Sequence, residues 1–414
     1  MKKLLQINPV IRVSTSTGRI MQEIGTLARE QGWDTYIAYS KGRDGISPNE
    51  SKLVPVGNKW SVITHGLITR CFDRHGLGSE GATRKFIEEI KRIKPDIIHI
   101  HNIHGYFLNY SLFFSFLKEA KIPVIWTVHD CWLYTGHCYH YSYKNCFRWK
   151  TGCGNCPQKL EFPRSWWLDR SAQNYQDKKK AFTSIPKEYF TLIPVSEWMK
   201  GEMEQSFFKG FDIRVIHNGI NLEVFNIYPA DEIKIKYNLQ GKKIILGVAS
   251  IWMEEKGWND FMELSKLLKE EEVIVLVGVT EKQQKMLPRG VVGIRRTDNV
   301  RQLTELYAAA EAFVNPTWQD NYPTVNLEAI ACGTPVVTYR TGGSIEAVTP
   351  DTGEIVEQGD VKGLMDAVRR IEENGKNYYQ QRCRTFAEQN FRKEDRYADY
   401  LKLYDELLNR KGKE

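Results

Sequence analysis

Two carboxylates lie beside the predicted start of a helix in the segment from Asn315 to Val337. Asp320 lies in the loop before that helix, and Glu328 lies about one turn inside it, roughly 5–8 Å along at ~1.5 Å per residue. A helix N-terminus attracts phosphate, because its N–H groups lack partners and its dipole is positive there. We therefore predict a diphosphate at the N-terminus, a ribose at Glu328 and a sugar ring at Asp320. The phosphate contacts would come from Tyr322, Pro323, Thr324 and Val325.

Three elements must position these groups. The apolar run 312–314 predicts a short buried strand, a helix runs through Leu327 and Ile330 and stops at Gly333, and a second strand covers 335–339. Pro323 fits the first turn of the helix, where its missing N–H costs nothing. An ordinary strand–helix–strand unit with two surface acids remains the alternative.

The run from Glu328 to Val337 reads EAIACGTPVV, and seven residues separate Glu328 from Asp320. This pattern resembles the signature of the retaining glycosyltransferases of family 4, in which the first acid is usually Glu. The resemblance covers nearly the whole chain and is strongest from 214 to 347. It implies an α/β fold of the GT-B type, with two Rossmann-like domains facing a cleft and a C-terminal helix that returns to the first domain.

The same resemblance sets the expected domains. The turn signal Asn218-Gly219 matches the family's crossover between domains. We predict an acceptor-side domain over 1–217 plus 397–414, which carries a cysteine-rich insert at 131–157. The nucleotide-sugar donor domain would cover 218–396.

A cation for the donor phosphates is expected after the strong strand that begins at Lys243. Lys256-Gly257 matches the family's phosphate-binding Lys-Gly pair, and this lysine would stabilise the departing diphosphate. The family's arginine before that pair is missing. Either Ser250 and backbone amides replace it, or Arg295 or Arg296 turns inward.

His129 ends a predicted strand over 122–128, at the edge of a parallel sheet where ligands bind. In the family the matching histidine lies beside the reacting sugar, and Asp130 would orient it. His99, on an earlier strand, is interpreted as a core histidine. Gly18, in the loop 12–19, corresponds to the family's acceptor-side glycine loop, with a tight turn as the alternative.

Five of the eight cysteines fall within 131–156. The Cys153-x-x-Cys156 spacing is that of a zinc knuckle, and Cys138 and Cys146 would complete four thiolates. A structural zinc and reduced buried thiols are both open, and a catalytic zinc is disfavoured. The aromatic residues of the insert are alternatively a sugar platform.

Composition is that of a globular protein, with 42% hydrophobic and 26% charged residues and a net charge of +7. The charge suits an anionic donor and anionic lipid headgroups, although it also serves solubility alone. Basic residues do not cluster with aromatics, which argues against nucleic acid. No apolar run reaches the ~18 residues of a membrane span, and no signal peptide is visible. We expect a cytoplasmic protein, with peripheral contact to the inner membrane. The polar helix at 169–182 is interpreted as a solvated face.

The family resemblance implies a hexosyltransferase that moves a sugar from a nucleoside diphosphate sugar to a glycan or lipid-linked acceptor of a capsule or exopolysaccharide, with no cofactor needed for catalysis. The catalytic residues would be His129, Lys256 and Asp320. A nucleotide-sugar epimerase of the same architecture and a non-catalytic glycan-binding protein are the rival interpretations.

Overall fold

The protein is described here by a computed structural model, which covers residues 1–12, 15–41 and 51–411. The chain divides into two compact units. Residues 1–216 and the segment that begins at Tyr397 form the first unit, and His217–Arg396 form the second. The first division lies one residue before the predicted domain boundary, and the second coincides with the predicted one.

Each unit contains a parallel sheet whose strands alternate with helices. Within the described residues, the first unit has seven strands in the order β3-β2-β1-β4-β5-β6-β7. Its elements are β1 (Lys3–Ile7), α1 (Ser16–Glu30), β2 (Asp34–Tyr39), β3 (Lys52–Pro55), α2 (Lys59–Phe72), α3 (Glu80–Ile93), β4 (Ile97–Ile100), α4 (Tyr110–Ala120), β5 (Val124–Val128), α5 (Ser171–Phe182), β6 (Phe190–Pro194), α6 (Glu197–Glu204) and β7 (Asp212–Ile213).

The described part of the second unit has six strands in the order β10-β9-β8-β11-β12-β13. The elements are α7 (Asp231–Lys236), β8 (Lys243–Val248), α8 (Trp258–Leu264), β9 (Glu272–Val277), α9 (Glu281–Gln284), β10 (Val291–Ile294), α10 (Val300–Ala309), β11 (Ala312–Asn315), α11 (Thr324–Ala331), β12 (Val336–Tyr339), β13 (Gly353–Val356), α12 (Val361–Asn374) and α13 (Lys376–Asn390). The last helix, α14 (Lys393–Lys411), begins in this unit and belongs to the first unit from Tyr397 onward.

The central strands are mainly apolar because helices cover both faces of a parallel sheet. Strands β4, β5 and β6 are fully buried, as are β9, β11 and β12. This arrangement confirms the prediction of two Rossmann-like α/β domains. Their strand order changes direction beside β1 and β8, where such sheets bind ligands outside the carboxyl ends of the strands.

The last helix, α14, packs on the first unit. Tyr397, Tyr400 and Tyr404 are buried in a core cluster with Ile97 and Ile125 of its sheet. This confirms the predicted return of the C-terminal helix. No helix among the described residues has both the length and the apolar character needed to cross a membrane.

Candidate active site

The signature segment forms a strand–loop–helix–strand unit in the second unit. Strand β11 pairs with β12, and α11 connects them on one face of the sheet. The helix begins at Thr324, so the prediction that Pro323 occupies its first turn is wrong by one position. Pro323 instead precedes the helix with an extended backbone, and no side chain among the described residues caps it. The N–H groups at Thr324 and Val325 therefore begin a helix whose end suits an anion.

Lys256 and Asp320 come together in this unit. The Lys256 Nζ lies 2.7 Å from Asp320 Oδ2, and both side chains are partly exposed. Gly257 has a positive φ of 79° and approaches Pro316 so closely that a Cβ would lie 2.4 Å from the proline ring. Glycine is required at this contact, and it brings the lysine loop against the signature loop. The Lys256 ammonium thereby lies next to the loop that leads into α11.

Backbone and side-chain bonds fix these two loops to each other. The N–H of Trp318 donates to the carbonyl of Glu255 over 2.8 Å. The indole of Trp318 and the hydroxyl of Tyr339 donate to the two carboxylate oxygens of Asp260, over 2.8 and 2.6 Å. Asp260 is buried and was not predicted as part of the site, since it belongs to no recognisable motif.

Glu328 is buried on α11. The hydroxyl of Tyr307 donates to its Oε2 over 3.1 Å. Burial and the neighbouring Glu328 carboxylate raise the pKa of Tyr307 well above its ordinary value, so the phenol keeps its proton. The carboxylate is thus held in one orientation by a neutral donor.

A buried network of side-chain hydrogen bonds supports α11. The Asn315 side chain donates to Asn326 Oδ1 over 2.8 Å, and Asn326 Nδ2 donates to the carbonyl of Ser344 over 3.0 Å. Thr338 and Ser344 join it through their hydroxyls, 2.7 Å apart. These bonds tie β11, α11, β12 and the loop 342–346 together. The sequence-based interpretation recognised that loop but missed Asn326, which looks like an ordinary helical residue in the chain.

Tyr322 is nearly buried, and its ring stacks on His217 with 4.8 Å between centroids. His217 Nε2 lies 3.1 Å from Glu346 Oε2. Burial and Glu346 raise the pKa of Tyr322, against a smaller opposite effect of Arg396. His217 and Glu346 lie 129 residues apart in the sequence. The fold brings both of them to the residue that precedes Pro323.

The predicted substitutes for the missing arginine are all exposed. Ser250 follows the carboxyl end of β8, at the sheet edge where β11 also ends. Arg295 and Arg296 follow β10, which lies two strands away from β8, and both are exposed to solvent. The inward turn predicted for these arginines is therefore not observed.

His129 lies at the carboxyl end of β5 in the first unit. Its Nε2 is 3.3 Å from Nδ1 of His101, whose Nε2 is 3.1 Å from Oε1 of Gln6. Gln6 Nε2 donates to the Met21 carbonyl, so its oxygen accepts from His101 and His129 Nε2 is the donor to His101. Burial lowers the pKa of His129 to about 4, which makes the imidazole neutral at pH 7.

Asp130 was predicted to orient His129, and this is corrected. Its Oδ2 lies 2.7 Å from His104 Nε2, and its Oδ1 accepts from the N–H of Trp132 over 2.9 Å. Burial opposes ionisation of Asp130, but the attraction and hydrogen bond of His104 lower its pKa below the ordinary value. The ring of His129 is held by His101 instead. His99 is a core histidine as interpreted, bonded to Tyr404 and Thr127.

Gly18 lies inside the first turn of α1 and not in a loop, since that helix begins at Ser16. Its N–H donates to the Thr15 side chain, and a Cβ there would lie 2.4 Å from the Arg12 carbonyl oxygen. The position thus needs glycine for a close backbone approach. Residues 13 and 14 of the predicted loop lie outside the described residues.

The four predicted zinc ligands lie around one small cavity in the first unit. Cys138, Cys146, Cys153 and Cys156 line it, next to His137. However, no group of three or more His, Cys, Asp or Glu within the described ranges is arranged to hold a metal ion. The zinc prediction is therefore not supported. Burial raises the pKa of Cys153 to about 11 and that of Cys156 to about 12, so these groups are protonated thiols at pH 7.

Lys178 corrects the prediction that α5 is simply a solvated face. The side chain is buried, and its Nζ donates to the carbonyls of Trp132 and Thr135 over 2.7 and 3.0 Å. It also lies 3.6 Å from the centre of the Trp132 ring. Burial lowers the pKa of Lys178 to about 7, against the opposing effect of nearby thiols and carboxylates. The lysine thereby anchors the segment that follows His129 and Asp130.

The chain is similar to known glycosyltransferases. The model of Glycosyltransferase Family 4 matches residues 17–224, and the model of Glycosyl transferases group 1 matches residues 242–374. The putative colanic acid biosynthesis glycosyl transferase WcaC of Escherichia coli is 24% identical over 372 residues, which cover 87% of this chain and 89% of that protein.

A second relative matches a shorter part of the chain. The N,N'-diacetylbacillosaminyl-diphospho-undecaprenol alpha-1,3-N-acetylgalactosaminyltransferase of Campylobacter jejuni is 32% identical over 144 residues, 32% of this chain and 37% of that protein. Among solved structures, Anabaena HepE in complex with UDP superposes with a TM-score of 0.68 at 13% identity, over 98% of this chain and 100% of that one. This likeness confirms the GT-B fold.

Proposed function

This chain belongs to glycosyltransferase family 4, and from that membership we propose that it moves a sugar from a nucleoside diphosphate sugar to a glycan or lipid-linked acceptor in polysaccharide biosynthesis. We propose retention at the anomeric carbon, as the resemblance implies. One observation carries the proposal: Lys256 and Asp320 form an ion pair in the loops that lead to the uncapped N-terminus of α11.

The leaving group of such a transfer is a nucleoside diphosphate, on which negative charge grows as the bond to the sugar breaks. Lys256 and the N–H groups at the start of α11 would stabilise that charge. The lysine is held in place by Asp320 before any donor binds. A group whose position is already fixed needs little reorganisation during the reaction, which is the condition for effective electrostatic stabilisation.

The two carboxylates have separate proposed tasks. Glu328, oriented by Tyr307, would accept hydrogen bonds from the ribose hydroxyls. Asp320 would accept from hydroxyls of the donor sugar, on the other side of the diphosphate. Tyr322 and Ser250 would complete the donor site. A nucleotide sugar has hydroxyl groups on its ribose and on its sugar, with a negatively charged diphosphate between them. The two carboxylates would accept from the hydroxyl groups, and Lys256 would bind the diphosphate.

His129 would contact the reacting sugar as a neutral hydrogen-bonding group. Its pKa of about 4 means that an imidazolium is scarce near pH 7. We therefore assign it a positioning contact with sugar hydroxyls and no proton donation. Gly18 would lie on the acceptor side, as the family resemblance implies.

The acceptor class rests on the relatives. The names of the two relatives specify colanic acid biosynthesis and an undecaprenol-linked acceptor. We infer a glycan or a lipid-linked glycan for this chain and, with the latter, peripheral contact with the cytoplasmic face of a membrane.

A screen of UDP-, GDP- and dTDP-sugars tests the donor. We expect one nucleotide class to raise the melting temperature, since a ligand at 100 times its Kd adds about 2.7 kcal/mol to stability. Glu328→Gln should weaken binding of that nucleotide by about 1.5–3 kcal/mol, the value of a hydrogen bond to a charged group. Tyr307→Phe, which keeps the carboxylate, is the matched control and should weaken it less.

Product analysis tests the reaction. With a lipid-linked glycan acceptor, NMR should show the donor's anomeric configuration in the product, and an inverted product would refute retention. A changed sugar on the nucleotide in the absence of acceptor would identify an epimerase instead. If no nucleotide sugar shifts the melting temperature, the proposed donor site is wrong.

A further inference from the structure

Helix α2 in the first unit presents its apolar residues to solvent. Trp60, Ile63 and Leu67 are 74%, 41% and 49% exposed, and their spacing of three and four places them on one side of the helix. The inward side is small and polar, with buried His65 and Thr69. An ordinary surface helix has the reverse arrangement, with apolar residues inward.

Hydrogen bonds hold α2 on the unit from its inward side. His65 Nε2 accepts from the N–H groups of Gly76 and Gly78, over 3.1 and 3.3 Å, and His65 Nδ1 lies 2.9 Å from Ser79 Oγ. The outward apolar residues therefore contribute little to keeping the helix in place. Their exposure needs a different explanation, since large exposed apolar patches mark interaction sites.

A second exposed apolar segment lies against the end of α2. The N–H of Trp166 donates to the Arg70 carbonyl over 2.8 Å, which joins residues 160–168 to the helix. Trp167 is 67% exposed, and its ring lies 5.6 Å from that of Trp166. Together these two segments form what we call the docking surface, made of Trp60, Ile63, Leu67, Leu160, Trp166 and Trp167.

The charges on these two segments are mainly positive. Helix α2 contains Lys59 and Arg70 and no acidic residue, and Arg74 follows it. The second segment, residues 160–168, contains Arg164, and Lys159 immediately precedes the segment.

The acidic residues within and beside these segments are already paired. Glu161 lies 3.6 Å from Lys144. Asp73 is buried and bonded to His137, and Asp169 accepts from the backbone of Cys156. The charge around the docking surface therefore complements an anionic partner.

We propose that the docking surface inserts into the headgroup region of an anionic lipid bilayer. Tryptophan and leucine on one side of a helix, flanked by lysine and arginine, match the composition of segments that lie in a membrane interface. A second copy of this chain fits less well, because a symmetric pair would bring the same cations face to face. The inference rests on the proposed lipid-linked acceptor, whose chemistry would then occur at the bilayer surface.

Vesicle co-sedimentation of the full chain tests this proposal without donor or acceptor. We expect binding to phosphatidylglycerol/phosphatidylcholine vesicles, weaker binding to phosphatidylcholine alone, and a decrease as salt screens the cations. The double variants Trp60→Ser/Leu67→Ser and Trp166→Ser/Trp167→Ser should each lower the partition coefficient by about ten-fold or more. All four side chains are exposed, so an unchanged melting temperature should accompany the loss.

The matched control is Ile235→Ser/Met286→Ser, which removes two apolar residues of the second unit that are 59% and 64% exposed. It should bind vesicles as the wild type does. Vesicle binding by the docking-surface variants that is as strong as wild-type binding would overturn the proposal. So would a dimer in light scattering that the same variants dissociate, because it would assign this surface to a second copy.

The vesicle experiment and the transfer experiment test the docking surface and the proposed function independently. Sugar transfer to a water-soluble acceptor without any vesicle binding would refute the docking surface and leave the proposed function standing. Vesicle binding without transfer from any nucleotide sugar would refute the proposed function and leave the docking surface standing.

Discussion

Lys256 forms an ion pair with Asp320 and is the charged centre of the proposed donor site. The pair is partly exposed, and such pairs contribute on the order of 0–1 kcal/mol to stability. Removing the lysine should therefore affect the fold little. Its main effect belongs to the reaction, where the ammonium would meet a developing diphosphate.

Lys256→Ala should lower turnover by about 10²–10³-fold with a nearly unchanged melting temperature, since one electrostatic group of this kind is worth that much in the transition state. Single-turnover kinetics with the identified donor would measure it. Lys266→Ala, at an exposed lysine paired with Glu263, is the control and should keep the wild-type rate. Normal transfer by a folded Lys256→Ala protein would rule out the proposed role.

The buried histidines predict a specific response to acid. The pKa values of His129 and His65 are lowered to about 4 by burial, below the ordinary 6.5. Between these values the unfolded chain binds protons that the folded chain does not, so the free energy of unfolding should fall as pH drops from about 6.5 towards 4. Each group can contribute up to about 1.4 kcal/mol per pH unit.

Urea denaturation at a series of pH values would measure this slope. His129→Asn removes one of the titrating groups and should make the decrease shallower than in the wild type. The same slope in both proteins would show that His129 is not neutral in the folded state.

At the scale of elements, α5 supports the segment after β5 through Lys178. Two buried carbonyls, of Trp132 and Thr135, accept from one ammonium. The segment carries Asp130 at its start, and the cysteine-lined cavity lies at its other end. A helix interpreted from its sequence as a solvated face therefore positions the segment next to the predicted catalytic histidine.

Lys178→Ala should lower the free energy of unfolding by about 1–3 kcal/mol for each carbonyl left without a donor. Chemical denaturation would measure the change, and Lys179→Ala on the exposed side of α5 is the control. In the wild type, the folded pKa of about 7 lies below the ordinary 10.5. Stability from this group should thus rise between pH 7 and 10.5, because neutral Lys178 is favoured in the fold.

A Lys178→Met variant should lack that rise, since methionine has no titrating group. Other groups titrate in both proteins, so the difference between their free energies of unfolding from pH 7 to 9 reports the contribution of Lys178. A parallel pH dependence would mean that Lys178 remains charged when buried.

At the scale of the molecule, the first unit depends on both ends of the chain. Helix α14 covers one side of its sheet, and the hydroxyl of Tyr404 lies 2.6 Å from His99 Nδ1. Thr127 donates to the hydroxyl of Tyr400 over 3.0 Å. One face of the first sheet is therefore fully covered only after the second unit has been synthesised.

Deletion of the chain from Tyr397 onward should prevent stable folding of the first unit, because it exposes the apolar residues that α14 covers. Limited proteolysis should then cut residues 1–216 in the truncated protein while the full chain resists. As a milder change, Tyr404→Phe should cost about 0.5–1.5 kcal/mol, the value of one hydrogen bond. A truncated protein with a protease-resistant first unit would contradict this dependence.

The fold class followed from local patterns. Apolar strands alternating with helices predict parallel sheets, and the strands β5, β11 and β12 were each predicted within a few residues. Helix α2 was not predicted, because its apolar residues face outward and its inward side is polar. Periodicity identifies an apolar side of a helix, but it does not show whether that side is covered.

The candidate site was partly predictable for the same reason. Asp320, Glu328 and Lys256 lie in short motifs whose residue types and spacing indicate phosphate and sugar chemistry. The residues that position them carry no such signal: Tyr307 bonds Glu328 from 21 residues away, and Asp260 fixes the loop of Asp320 through Trp318. Asp130 was assigned to His129 because they are neighbours in sequence, whereas the fold gives it His104.

The sequence by itself determined the fold class and the motif residues, because both depend on the order of residue types along a few turns or strands. The tertiary structure decided what each charged or polar group bonds to. Lys178 is one of three consecutive lysines that are identical in type, yet it alone of the three is buried, over the Trp132 ring. Burial lowers its pKa to about 7. The carbonyls to which it donates, of Trp132 and Thr135, lie more than 40 residues away in the chain.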